Sequence, residues 1–198
     1  MKRQLILCDL DGTLYDTDSV NFDAYRRALA EEGIVLKIGD FQKHALGSHY
    51  RDFLPRLAPG LGRESIERVH QRKTELYAGC LGRARENTGF FRQLEAMRKD
   101  CWLALVTTAS RACTNAILAH FGRTGFFDLV VCGEDVRRRK PDPEGFLSAM
   151  AHFGMEAANT TIYEDSPAGL AAARASGARV LKVTFPGLDS DPADLPTD

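Results

Sequence analysis

The sequence has a single tryptophan, five cysteines and no run of about 18 apolar residues. Without such a run, no segment is expected to span a membrane. The N-terminal stretch MKRQLILCDL is basic at first but has neither a long apolar core nor a small-residue cleavage site. No signal peptide is therefore expected, and the expected location is the cytoplasm. Cys8, Cys80, Cys101, Cys113 and Cys132 are odd in number, and none has the close spacing of a CxxC pair or a zinc site. They are expected to be small buried hydrophobes in a reducing compartment. The five histidines, His44, His49, His70, His120 and His152, also lack ligand spacing and are expected on the surface or on helix faces. Charge excess is missing too: 26 basic residues face 27 acidic ones, for a net charge of -1. This balance argues against nucleic acid as a partner. The tetrad Arg137-Arg138-Arg139-Lys140 is too short to change that, and its arginines are expected in a solvated loop. Internal repeats and low-complexity segments are absent, and the expected state is a monomer or weak homodimer.

What is present fits a core with an insert. Hydrophobic residues make up 44% of the 198 and charged residues 27%. Five short apolar runs, at 4–9, 102–107, 127–133, 160–165 and 178–184, read as strands buried on both faces. Helical patterns separate the last four. Ser110 is expected to cap a helix running to Gly122, Asp142-Pro143 to open one ending at Gly154, and Ser166-Pro167 to open one ending at Gly177. Alternating strands and helices predict an α/β fold with a doubly wound parallel sheet. Residues 16–87 break the rhythm with four helical patterns and no strand. They are expected to form an inserted helical cap domain, with 1–15 and 88–198 as the core. The chain would cross between the two near Tyr15–Asp18 and Arg85–Gly89 on a two-stranded hinge. Trp102 is expected in the core, and the acidic, proline-bearing tail GLDSDPADLPTD is expected to be frayed or loosely docked.

Ligands of open parallel sheets bind beyond the carboxyl ends of the strands. Four expected strands end on polar groups: Asp9 and Asp11 after the first, Thr107 and Thr108 after the second, Lys140 in the loop after the third, and Glu164-Asp165 on the fourth. Carboxylates crowded within a few ångströms repel by on the order of several kcal/mol. One must protonate or a cation must neutralise them, and hard oxygen ligands suit Mg2+. Carboxylates, a metal, a lysine and a hydroxyl together suit phosphoryl transfer through an aspartyl-phosphate. Asp16 and Asp18 are assigned to the hinge and to entry into the first insert helix.

The stretches DLDGTLYD, VTT, KPDPEGF and IYEDSPAG, in this order and spacing, resemble the four motifs of the haloacid dehalogenase-like hydrolase superfamily. The helical insert resembles the C1 cap of its phosphoglycolate phosphatase and β-phosphoglucomutase branch. The resemblance spans almost the whole chain. It implies a phosphatase acting on a small phosphorylated metabolite, with Mg2+. Asp9 would be the nucleophile, and Asp11 the general acid and base whose backbone carbonyl also ligates the metal. Thr107, Thr108 and Lys140 would bind the phosphate, and Lys140 would also pair with Asp9. Asp165 would ligate the metal, with Glu164 on a metal-bound water or behind the ligands. Gly12 would allow the turn after Asp11, and Thr13 would tie that loop down.

A dehalogenase would not need the acid at Asp11. A phosphorelay receiver would not carry so large an insert, and a binding protein would not need Asp9, Asp11, Lys140 and Asp165 together. The runner-up is a β-phosphoglucomutase-like phosphomutase, since Lys73 matches a cap lysine. Against it, Asn21 stands where a histidine is expected, and Tyr50 where an arginine is, with Arg51 one place later. NTGFF at 87–91 also departs from the usual proline-glycine after the cap, and VTTAS lacks the asparagine or second serine common after the second motif.

Overall fold

The computed structural model describes residues 2–45 and 48–186. The segment expected to fray, 187–198, lies outside them. In chain order the strands are β1 (Gln4–Cys8), β2 (Tyr15–Asp16), β3 (Arg85–Glu86), β4 (Cys101–Val106), β5 (Leu129–Val131), β6 (Thr160–Glu164) and β7 (Arg179–Lys182). Five of them form a parallel sheet in the order β5-β4-β1-β6-β7. This is the α/β sheet the sequence predicts.

Strand alternation divides the core in two. Ile6 and Cys8 of β1, with Leu103 and Leu105 of β4, face one apolar cluster. Leu5, Leu7, Ala104 and Val106 face the other. Helices α5 (Thr88–Met97) and α6 (Arg111–His120) cover the first cluster with Phe90, Phe91, Leu94, Cys113 and Ile117. Helices α7 (Glu144–Phe153) and α8 (Pro167–Ala175) cover the second with Phe146, Ala149, Ala172 and Ala173. Trp102 is only partly buried at the margin of the second cluster, stacked on Phe153 with ring centroids 5.1 Å apart, rather than inside the core. All five cysteines are buried and free, as expected.

The expected caps are present at α6 and α8. Ser110 accepts from the Cys113 N–H and Ser166 from the Gly169 N–H, with Pro167 at the first position of α8. Helix α7 starts one residue later than expected. Pro143 is its cap rather than its first turn, and the Asp142 carboxylate accepts from the Glu144 N–H at 3.0 Å. The apolar pattern of α5 gives a helix the sequence reading did not anticipate.

The insert holds α1 (Asp18–Glu31), α2 (Ile38–His44), α3 (Tyr50–Leu57) and α4 (Arg63–Tyr77), then a 3-10 turn at Ala78–Arg83. They close over an apolar cluster of their own, including Tyr25, Leu29, Phe41, Phe53, Leu54 and Val69. No helix among the described residues is long and apolar enough to cross a membrane.

Where the chain enters and leaves the insert, β2 and β3 pair antiparallel, Tyr15 with Glu86 and Asp16 with Arg85. The Arg85 guanidinium meets Asp16 at 2.7 Å, and Arg123 of the core reaches Glu86 at 2.8 Å. Asn87 fastens this crossing. Its N–H donates to the Leu14 carbonyl at 2.9 Å and its side-chain amide to the Thr13 carbonyl at 3.2 Å. Its side-chain oxygen caps α5 by accepting from Phe90.

Asn87 is buried, so truncation removes a cap and leaves the Thr13 carbonyl without that donor. Asn87→Ala is expected to lower unfolding stability by about 2 kcal/mol. Urea denaturation measures it, and a loss below about 0.5 kcal/mol would mean these bonds contribute little.

Candidate active site

The strand register brings the expected groups together. Cys8 sits level with Leu105 on one side and Tyr163 on the other, so Asp9, just past β1, lies between the ends of β4 and β6. Lys140 binds all three strand ends. Its ammonium donates to Asp9 at 2.5 Å, to Glu164 at 2.9 Å and to the Val106 carbonyl at 2.9 Å. The second Glu164 oxygen accepts from the Ser166 N–H and hydroxyl at 2.8 and 3.0 Å. Glu164 is 1% exposed, so it is no solvated strand end.

Two glycines make room for these carboxylates. A Cβ on Gly169 would stand 1.9 Å from a Glu164 oxygen. Gly12 has φ +79°, and a Cβ there would stand 2.2 Å from an Asp165 oxygen. Thr13 donates to Asp165 at 2.7 Å and so fixes the turn to that carboxylate.

Asp9, Glu164 and Asp165 each place an oxygen within 4.8 Å of the other two. Burial pushes the Asp9 carboxyl well up; Lys140 opposes this, and Glu164, Asp165 and Asp11 add to it. Asp165 is pushed up to about 6, by burial first, against its bond from Thr13, with Glu164 and Asp11 adding. Burial works against the Lys140 charge, yet Asp9 and Glu164 outweigh it and its pKa is raised. Two of these carboxylates thus share one ammonium, and the third, Asp165, is bonded by Thr13 instead. The donors are all hard oxygens, and Gly12 leaves the Asp165 carboxylate open space. A divalent cation fits this set.

The Asp11 carboxylate is outside the trio. It accepts a hydrogen bond from Thr17, whose hydroxyl in turn accepts from Asn21 at 3.1 Å. Burial raises its pKa, against the pull of Thr17, Lys73 and Lys140. Thr107 is buried, and its hydroxyl accepts from the Ala109 N–H at 3.0 Å, leaving its own proton to donate. Asp9, Asp11, Thr108, Lys140, Glu164 and Asp165 form the floor of a cavity of about 660 Å3, which Thr107 does not line.

The roof comes from the insert: Asn21, Tyr25, His49, Tyr50, His70 and Lys73. His49 and His70 were expected on the surface or on helix faces; both line the cavity. His70 contacts the Tyr25 hydroxyl at 2.9 Å and stacks on Tyr50 with centroids 3.6 Å apart. Burial, then Lys73, pushes His70 down to about 3, so it is neutral. Tyr50 turns its hydroxyl to Glu67 at 2.7 Å. The residues come from three places in the chain, Asn21 and Tyr25 on α1, His49 and Tyr50 at the start of α3, and His70 and Lys73 on α4.

Arg137 and Arg138 are exposed, as expected of a solvated loop, and their backbone N–H groups bond to Glu144. Arg139 departs from that expectation. It is partly buried, donates to the Gly133 carbonyl at 3.1 Å and touches His49 across the cleft. Asp16 belongs to the crossing through Arg85, whereas Asp18 opens α1 and also lines the cavity. The Asp18 side chain itself is exposed.

The sequence pattern of the haloacid dehalogenase-like hydrolase family matches residues 6–183. The chain is 31% identical to the phosphorylated carbohydrates phosphatase of Thermotoga maritima, over 88% of this chain and 82% of that one. It is 33% identical to the plasmid protein CbbY of Cupriavidus necator, over 94% of this chain and 81% of that one. Its fold is similar to that of CbbY from Rhodobacter sphaeroides in complex with phosphate, with a TM-score of 0.81 and 24% identity. That likeness covers 96% of this chain and 92% of that one. With its parallel sheet, its carboxylates at the strand ends and a match over nearly its whole length, the chain belongs to the haloacid dehalogenase-like hydrolase family, as an enzyme of its phosphatase branch.

Proposed function

We propose that the protein is a Mg2+-dependent phosphatase that hydrolyses a small phosphorylated metabolite through an aspartyl-phosphate on Asp9. The observation that carries this is the Asp9 carboxylate on the cavity floor, held by Lys140 beside two further carboxylates. Relatives described as phosphatases of phosphorylated carbohydrates and of fructose 1-phosphate support a sugar-like substrate. The enzyme would work in the cytoplasm as a monomer or weak homodimer, with residues 16–87 as the cap and 1–15 and 88–198 as the core.

Asp9 attacks phosphorus, a bond forms from its carboxylate oxygen, and the ester oxygen leaves. Asp11 gives that oxygen its proton, and burial of its carboxyl suits it to hold one. Asp11, now ionised, takes a proton from water, which attacks the aspartyl-phosphate and releases phosphate. Lys140 balances the charge on Asp9 and on the phosphoryl oxygens. Thr107 and Thr108, with the N–H groups leading into α6, orient those oxygens. Asp9, Asp165 and the Asp11 carbonyl, with Glu164 behind them, would hold Mg2+, which when bound would supply positive charge at the transferring group. The roof over the cavity excludes bulk water during transfer.

A second reading, a sugar phosphomutase, is favoured by one observation: Lys73 reaches the cavity. It is disfavoured because Tyr50 is spent on His70 and Glu67 and Asn21 on Thr17.

Asp9→Asn is expected to abolish turnover while the fold survives, since an amide cannot attack phosphorus at a useful rate. Intact-mass measurement after rapid quench should find phosphorylated parent and no phosphorylated mutant. Retention of about a tenth of the parent kcat would place the nucleophile elsewhere.

Asp11→Asn should slow both steps. With p-nitrophenyl phosphate, whose leaving group needs little protonation, the mutant should still form the aspartyl-phosphate and then hydrolyse it slowly. The phosphorylated species should accumulate in quenched flow. Normal turnover without accumulation would reduce Asp11 to a structural carboxylate.

Asp165 is raised from 3.8 to about 6 in the folded protein. A raised carboxyl binds more protons folded than unfolded, so its contribution to stability falls as pH climbs between those values. A divalent ion that replaces the proton should offset this loss. Mg2+ should therefore raise the Tm of EDTA-treated protein more at about pH 7 than at about pH 5. Asp165→Asn should remove most of that rise, and an equal Mg2+ response in the mutant would take Asp165 out of the metal site.

A further inference from the structure

Arg139 and Lys140 are neighbours in sequence but serve opposite walls. Lys140 turns to the floor, onto Asp9 and Glu164. Arg139 reaches across to His49 at the start of α3, in the insert. Its position is built in. The Gly133 carbonyl holds its Nε at 3.1 Å, and a Cβ on Gly133 would stand 3.2 Å from that nitrogen and 2.5 Å from the Thr108 carbonyl.

Among the described residues, Arg139 forms no ion pair, although it lines the same cavity as Asp9. The other lysine of the roof, Lys73, is 7% exposed and also makes no ion pair or hydrogen bond among the described residues. It meets only the rings of Tyr77 and Tyr25, at 4.6 and 5.3 Å. Of the acids near this space several are engaged elsewhere, while Asp18 lines it with no ion pair among the described residues. Glu134 accepts from the Arg111 N–H, Glu67 pairs with Arg51 and Tyr50, and Asp11 bonds to Thr17. His49 is held below its ordinary pKa by burial and by Arg139, which disfavours a second positive charge beside the guanidinium.

Among the described residues neither this guanidinium nor this buried ammonium is held in an ion pair, so both can take up an anionic group that enters the cavity. We propose that Arg139 is a specificity-determining residue that binds a second anionic group of the substrate, a carboxylate or a second phosphate remote from the ester attacked by Asp9. This rests on the phosphatase reading for the identity of the first group. The guanidinium offers the planar fork that such anions accept, and His49 and Lys73 border the same space. The second anion would share the guanidinium with His49 or displace it.

The test uses the full-length Asp9→Asn protein, which binds without turnover, and calorimetry with glucose 1-phosphate and glucose 1,6-bisphosphate in Mg2+ buffer. The parent Asp9→Asn protein is expected to prefer the bisphosphate by roughly tenfold or more. Adding Arg139→Gln should bring the two affinities to within about twofold, while Arg139→Lys should keep a preference of about threefold. The lysine variant keeps the test decisive if the glutamine variant does not fold. No preference in the parent, or a full preference surviving Arg139→Gln, overturns the proposal. The phosphatase reading fails separately. A wild-type protein that hydrolyses no phosphoester, yet binds the bisphosphate tightly through Arg139, would refute the reaction and leave this subsite standing.

Discussion

Lys140 is the group on which the active-site end of the fold depends. Its ammonium is buried and is shared by two carboxylates and a strand-end carbonyl. A carboxylate alone in this environment would be costly, and removing one partner of a buried ion pair leaves the other uncompensated. Asp9 and Glu164 therefore both need the lysine, and the lysine needs both of them. This requires β4, β1 and β6 to be neighbours, which the parallel sheet provides. The motif glycines follow from the same requirement. Without the space at Gly169, Glu164 could not turn toward Lys140 and Ser166, and without that at Gly12, Asp165 could not lie beside Asp9.

Even so, the balance is incomplete. Three carboxylates and one ammonium leave an excess of negative charge within a few ångströms. Burial then drives the carboxyls upward in pKa, as at Asp9 and Asp165. A strained charge balance of this kind makes the site responsive to protons and cations, which suits catalysis better than stability.

Most of the floor was legible in the sequence because its residues sit within a few positions of strand ends, where direction is set locally. The near-continuous apolar runs QLILC and CWLALV give the strands, and the residues after them must emerge at the carboxyl edge. The serine caps of α6 and α8 were legible for the same local reason. Helix α5 was not anticipated, because its cap, Asn87, also serves the crossing and stands where the chain was expected to pass from the insert back to the core. The roof was only partly legible. Lys73, Asn21 and Tyr50 could be singled out by resemblance, but His49 and His70 become neighbours only through the packing of α3 on α4. Arg139 was misjudged because charge runs are usually solvated; its neighbours Arg137 and Arg138 follow that rule, and Gly133 exempts it.

Floor and roof are linked at one further point. Asp11 is the floor carboxylate with a hydrogen bond from the far side of the crossing, through Thr17 to Asn21 in α1. The Thr17 hydroxyl donates to Asp11 and accepts from Asn21, so both of its polar roles are used along one line. The bond to Thr17 holds the Asp11 pKa down against burial. Any swing of α1 that lengthened it would raise that pKa, and any closure that shortened it would lower it. In the proposed mechanism Asp11 first holds a proton and then gives it up, and this bond ties it to the position of the insert. Through Thr17 the insert thus shares in setting the charge state of the residue proposed as general acid.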